Sequence, residues 1–318
     1  MDRNLSMEAM RVTEAAALHA ARLVGRGDEE NAHLAAVQGM ERALVGFAVD
    51  GTIVIGEDDI DDSPIHTDRT LGDPEAPGAV DIAMKPLEGA TPCATGGTNA
   101  ISVVAFAQKG GMLPVPKVYM EKLAVGPDAA GAVSLQYSVE ENLRRLADAK
   151  AKYVEDLTIV VLDRPRNERY IEAVRKVGAR IQLIGDGDVS GAVATAFEPT
   201  GVDMLLGIGG APEGVLAAAA LKCLRGDFQG RFVIQGRDDE LKLREAGLED
   251  TGKVWTRDDF INGQAMFAAT GITDGQLLRG VHFTSGGAST NSLAMRSKSG
   301  TVRFINTDHH FDLQPVYE

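Results

Sequence analysis

The chain has 318 residues, 44% of them hydrophobic, enough for one large domain or two tightly joined ones with a sizeable core. Lys and Arg number 32 against 46 Asp and Glu, and the net charge of −14 argues against nucleic acid or an anionic membrane as partner. Cys93 and Cys223 make no disulfide framework, and no apolar run reaches membrane-spanning length or forms a signal-peptide core, so a reducing cytoplasm is the expected setting.

From Asn4 to Val24 the Ala/Leu/Met spacing predicts an amphipathic helix closed by Gly25 and Gly27, and a second helix follows from about Asn31 to Val45. Thr52 to Ile55 reads as a short buried strand that leads into the acidic loop Gly56-Glu57-Asp58-Asp59-Ile60-Asp61-Asp62; Ser63 to Gly78 reads as a surface excursion. Val80 to Met84 predicts a strand that breaks at Pro86 and delivers Glu88 into a turn opened by Gly89. Without a Cβ, that glycine lets backbone N–H groups approach a phosphate. Further strands are expected over 100–107 and 118–125.

After Gly126 strands and helices alternate. A helix over 140–152 precedes Leu157 to Leu162, a continuous Val/Ile/Leu run of the kind found in parallel sheets. Then come a helix to Val177, a strand over 180–184, the loop Gly185-Asp186-Gly187-Asp188, a helix, a strand over 202–208 and an Ala-rich helix over 215–224. This half reads as a small doubly wound unit. Residues 283–305 predict a hairpin around Lys298-Ser299-Gly300, and His309 and His310 read as a solvated tail rather than metal ligands. The expected fold is α/β, with layers of helix and sheet and two sheets. Its halves are 1–140 with 276–318, carrying the acidic loops, and 141–275.

Eight stretches carry a resemblance: Arg11-Val-Thr-Glu14, Gly25-Arg-Gly-Asp28, Asp50 to Glu57, Tyr119-Met-Glu-Lys-Leu123, Pro165-Arg166, Asp186-Gly-Asp188, Gly207-Ile-Gly-Gly-Ala-Pro-Glu-Gly214 and Ala269-Thr-Gly-Ile-Thr273. Over nearly its whole length the chain resembles the class II fructose-1,6-bisphosphatases, within the lithium-sensitive sugar-phosphate and inositol-phosphate phosphatase superfamily. The resemblance implies a layered sugar-phosphatase fold and a homo-oligomer. It also implies Mg²⁺ or Mn²⁺ and a sugar bisphosphate bound between the halves. Glu57, Glu88 and Glu213 match metal ligands, a role suited to carboxylates because hard divalent cations prefer oxygen. Gly89, Tyr119, Arg164, Arg166, Asp186, Asp188 and Gly210 match the sugar-phosphate pocket, where guanidinium groups grip phosphate and carboxylates accept sugar hydroxyls.

The departures are local. In the family the central motif reads Asp-Pro-x-Glu-Gly-Thr, and here Lys85 and Ala90 replace its Asp and Thr; after Gly-Arg-Gly-Asp, Glu29 and His33 stand where the family has Lys and Asp. A weak or partial metal site that includes His33 is therefore expected, with Lys85 placed to neutralise a glutamate. Three functions follow. One is a sugar-bisphosphate phosphatase using Glu57, Glu88, Glu213 and Lys85. The second is an altered enzyme in which Lys85 acts as general base or Schiff-base residue, and the third a non-catalytic sugar-phosphate binder.

Overall fold

Small side chains decide how the N-terminal helices pack. In the computed structural model, which describes residues 5–45, 47, 49–58, 63–76 and 78–313, α1 (Leu5–Ala21) buries Ala9, Ala16, Ala17 and Ala20, and α2 (Glu29–Leu44) buries Ala32 and Ala36. A Cβ at Gly39 would lie 2.6 Å from the Ala15 carbonyl oxygen, so only glycine permits this approach of the two backbones. Asp28 caps α2 by accepting the Asn31 N–H at 3.0 Å. Asn4, the expected start of α1, lies outside the described residues.

The first sheet begins with β1 (Asp50–Ile55), β2 (Thr70–Gly72) and β3 (Val80–Glu88), and after the short helix α3 (Ala90–Thr95) comes β4 (Ile101–Gln108). Contrary to the expected break, β3 continues through Pro86. Proline cannot donate to the ladder, and the pairing with β4 jumps there from Lys85↔Val103 to Glu88↔Ile101. The slip changes the alternation, so that Leu87 joins Val80, Ile82 and Met84 in the core with α1 and α2.

The second sheet is mixed. Its elements are β5 (Tyr119–Val125), α4 (Val139–Lys150), β6 (Thr158–Leu162), α5 (Glu168–Val177), β7 (Arg180–Ile184), α6 (Asp188–Ala194), β8 (Met204–Gly210), α7 (Ala211–Leu224), β9 (Asp227–Val233), α8 (Arg237–Glu245), β10 (Trp255–Thr256) and α9 (Arg257–Phe260). The strand order is β10-β9-β5-β8-β6-β7. Only β7, β6 and β8 run parallel, as a doubly wound unit requires; β5 lies antiparallel between β8 and β9.

Back in the first sheet, β11 (Ala265–Gly271) pairs with β4, and β12 (His282–Phe283), β13 (Gly287–Arg296) and β14 (Thr301–His310) follow. The order is β12-β13-β11-β4-β3-β1-β2, with β14 on β13. His309 and His310 thus belong to an edge strand rather than a tail, and His309 Nε2 lies 2.9 Å from the Thr290 hydroxyl. Each sheet forms its own compact unit, 1–112 with 262–318 and 113–261. Both joints fall earlier than the expected 140/141 and 275/276. The residues responsible are β5, which is central to the second sheet, and β11, an Ala-rich strand that belongs to the first.

Two of the motif stretches meet inside the first unit. The Thr13 hydroxyl lies 2.8 Å from that of Thr270, which lies 2.9 Å from that of Ser292. Buried Glu14 accepts hydroxyls from Thr307 at 2.8 Å and from Thr290 and Ser292 at 3.3 Å. These hydrogen bonds join α1 to β11, β13 and β14, which is scaffold work. No helix among the described residues is long and apolar enough to cross a membrane.

In the second unit Asp203, 1% exposed, receives Lys152 Nζ at 2.8 Å, Lys150 Nζ at 3.1 Å and the Thr158 N–H at 2.9 Å. Burial pushes its carboxyl up, but these donors outweigh burial and hold it below the ordinary range. Its stabilising contribution is therefore complete above the unfolded carboxylate value and lost as pH falls through the lower folded one. Asp203→Asn should cost roughly 3 kcal/mol in urea unfolding at neutral pH, and the gap to wild type should narrow below about pH 4.

Candidate functional site

The site residues fall into one cluster on each unit. In the first, Glu57 follows β1 and is completely buried. Its Oε1 lies 3.1 Å from Lys85 Nζ on β3, and its Oε2 lies 3.2 Å from His33 Nε2, one turn into α2. The contacts are close enough for ion pairing but poorly aligned for hydrogen bonding, and among the described residues neither Glu57 oxygen has a well-directed hydrogen-bond donor. Burial pushes the Glu57 carboxyl up; His33 and Lys85 together overcome this and hold it below the usual range. Lys85 and His33 are each about one-fifth exposed, so the cluster reaches solvent.

Glu88 ends β3, buried, and Gly89 follows in the left-handed region at φ +94°, where a Cβ would lie 3.1 Å from the Ala100 Cα. Ala90 opens α3 with no hydroxyl, and Glu29 is the first residue of α2. Asp58 accepts the Thr67 N–H at 2.7 Å and its hydroxyl at 2.8 Å, tying the acidic loop back on itself; Asp59, Asp61 and Asp62 lie outside the described residues.

This donor set does not fit a divalent cation. A metal on Glu57 at ~2.1 Å would share that carboxylate with an ammonium already 3.1 Å away. Among the described residues no three His, Cys, Asp or Glu side chains are grouped to hold a metal ion.

The second cluster lies at the carboxyl ends of β6, β7 and β8, where ligands gather on parallel strands. Arg164 and Arg166 sit at the turn after β6, Asp186 in the turn after β7, Asp188 at the start of α6, and Gly210 and Glu213 at the β8–α7 junction. Tyr119, the first residue of β5, pairs with Gly210. The Arg166 guanidinium stacks 4.5 Å from the Tyr119 ring centre and donates Nε–H to the Ile208 carbonyl at 3.0 Å. A Cβ at Gly210 would lie 2.0 Å from a Glu213 carboxylate oxygen, so a side chain there would displace that carboxylate.

Three carboxylates crowd this end. Burial pushes Asp186 up, Asp188 and Glu213 add to it, and the Gly187 N–H and then Arg164 partly offset it. Burial likewise pushes Asp188 up, reinforced by Glu213 and opposed by Lys122 and Arg166.

Two residues that hold this cluster were missed at the sequence level. Lys122 is 2% exposed and its Nζ lies 2.7 Å from Asp188 Oδ2; a Cβ at Gly209 would collide with that same carboxylate. The available signal was Glu121-Lys122 within an otherwise apolar strand, since alternation sends neighbours to opposite faces and both charges must then find partners. Glu121 finds Arg231 and Tyr170. Asn167 is the other: its amide donates to the Leu162 and Ile208 carbonyls at 3.0 and 3.1 Å and accepts the Ile208 N–H at 2.7 Å, joining the ends of β6 and β8.

Comparison with known proteins adds the chemistry. Residues 3–309 match the family model described as "Bacterial fructose-1,6-bisphosphatase, glpX-encoded". Two proteins from Synechococcus sp., strains JA-3-3Ab and JA-2-3B'a(2-13), are each 42% identical over 339 aligned positions that cover 99% of this chain and 98% of the relative. A third, from Synechococcus elongatus, is 38% identical over 337 positions and 98% of both chains. All three are named D-fructose 1,6-bisphosphatase class 2/sedoheptulose 1,7-bisphosphatase.

The buried Lys122–Asp188 pair is directly testable. Lys122→Met strands a buried carboxylate and should cost about 3–5 kcal/mol in denaturant unfolding. Adding Asp188→Leu should recover most of that loss, and the double variant should then differ strongly from the sum of the singles.

Proposed function

Because the chain belongs to the bacterial fructose-1,6-bisphosphatase family, whose named members are phosphoric monoester hydrolases, we propose that it dephosphorylates a ketose bisphosphate. Fructose-1,6-bisphosphate and sedoheptulose-1,7-bisphosphate are the two candidates, since they present the same phosphate and hydroxyl groups. The observation that carries this reading is the pair Arg164 and Arg166 at the turn after β6, with Asp186 and Asp188 beside them. Arg166 is held by its backbone acceptor and by Tyr119, so a planar phosphate-binding fork is oriented before any ligand arrives.

In this reading Arg164 and Arg166 grip the phosphate that is retained, and Asp186 and Asp188 accept sugar hydroxyls. Carboxyls pushed up by burial gain most from such donors. Gly89 and Gly210 leave room for backbone amides to approach the substrate. Glu57, Glu88 and Glu213 are the candidate proton acceptors for attacking water, and the Lys85 ammonium is the candidate charge partner for phosphoryl oxygens. Mg²⁺ or Mn²⁺ would screen phosphoryl charge in an intact family site, a role that the Glu57 donor set does not fit.

A specific observation favours a second reading, a sugar-phosphate binder without turnover. Lys85 is engaged as a cation on Glu57, and Ala90 offers no hydroxyl to position water. The same contact disfavours Lys85 as a Schiff-base nucleophile, and borohydride trapping with a ketose phosphate should leave the protein unmodified.

Phosphate release from both bisphosphates, with and without Mg²⁺ or Mn²⁺, separates the readings. Binding of fructose-6-phosphate by calorimetry is expected under either. Arg166→Ala should weaken it by roughly 2–5 kcal/mol, as for other desolvated charge pairs. Equal binding by wild type and Arg166→Ala, or binding by neither, would remove the pocket assignment.

A further inference from the structure

A fully buried carboxylate is unfavourable unless cations or polar N–H groups face it. Glu57 is such a group, and the chain supplies its compensation from two directions, Lys85 Nζ at 3.1 Å and His33 Nε2 at 3.2 Å, one nitrogen for each oxygen. A divalent cation has the same task at a carboxylate site. The two solutions compete for the same carboxylate: with Lys85 Nζ already 3.1 Å from Glu57 Oε1, a dication entering there is repelled by the ammonium, or the ammonium must leave and give up its attraction to Glu57.

We propose that Lys85 is the built-in cation of this site, with His33 as its second partner, so that Glu57 takes neither Mg²⁺ nor Mn²⁺ and a phosphate oxyanion reaching the cluster meets an ammonium. The last clause rests on the sugar-phosphate reading. The statement about metal does not, because it follows from the three side chains alone. Lys85 and His33 each keep about one-fifth of their side chains exposed, so the ammonium can be reached from solvent.

The test uses the full-length chain and the electron paramagnetic resonance signal of free Mn²⁺. Wild type and Glu57→Gln at about 1 mM Mn²⁺ should leave the same free-ion signal, and Mn²⁺ in place of EDTA should shift their melting temperatures equally. Lys85→Asp combined with His33→Asp should bind Mn²⁺ at least tenfold more tightly than wild type and melt higher in its presence. Lys85→Met should melt lower than wild type in EDTA, and Mn²⁺ should return part of the loss. Mn²⁺ bound by wild type and lost in Glu57→Gln overturns the proposal, whereas Mn²⁺ that survives Glu57→Gln is held elsewhere and supports it. Lys85→Met melting like wild type in EDTA also overturns it, and so does a double variant that binds no better than wild type. Failure of the sugar-phosphate reading is seen separately, as absent fructose-6-phosphate binding in calorimetry, with the Mn²⁺ results unaffected.

Discussion

The buried carboxylate of Glu57 is the constraint around which the first unit's site is arranged. Desolvation would drive it neutral, and the side-chain nitrogens that oppose this come from two separate elements, Lys85 on β3 and His33 on α2. β3 therefore has to continue past Lys85, with a slip in its pairing at Pro86, before it ends at Glu88 and turns at Gly89. α2 has to approach closely enough for His33 to reach the second oxygen. Alanine and glycine along the α1–α2 contact hold α2 closely against α1, with Gly39 leaving room for the Ala15 carbonyl.

The second unit answers the same physical problem differently. Asp188 is buried among carboxylates, and its main compensation is a fully enclosed lysine on the neighbouring antiparallel strand. Of the two charged residues of β5, Lys122 shares that face of the sheet, while Glu121 turns to Arg231 and Tyr170 on the other. Asn167 then closes the ends of β6 and β8, where strand separation would otherwise leave carbonyls without donors. The arginines stand at a rim whose geometry is already set, and this rigidity favours recognition of a phosphate in one orientation.

Several motif residues do structural work and belong to neither cluster. Thr13, Glu14, Thr270 and Ser292 form a buried hydroxyl and carboxylate network joining α1 to the sheet. Asp28 caps a helix. Family likeness therefore reports scaffold and site together, and geometry is needed to separate them.

Period and composition made much of the fold readable. The Ala-rich helices, the apolar runs at 80–84, 100–107, 118–125 and 157–162, and the strand-helix alternation after 140 all correspond to elements, because each is specified by residues close in sequence. The exchange of Asp for Lys at 85 was readable too, as an ammonium among glutamates, and its partner is Glu57. What the chain alone left open depends on pairing between distant segments. Whether a strand continues past Pro86 is decided by β4; whether Ala265–Gly271 is a strand is decided by β4 and β13; and whether Lys122 is buried or solvated is decided by the Asp188 turn 66 residues away. Tertiary structure decides such points because a backbone ladder or a buried ion pair gains its free energy only when both partners arrive, and no local pattern records the second partner.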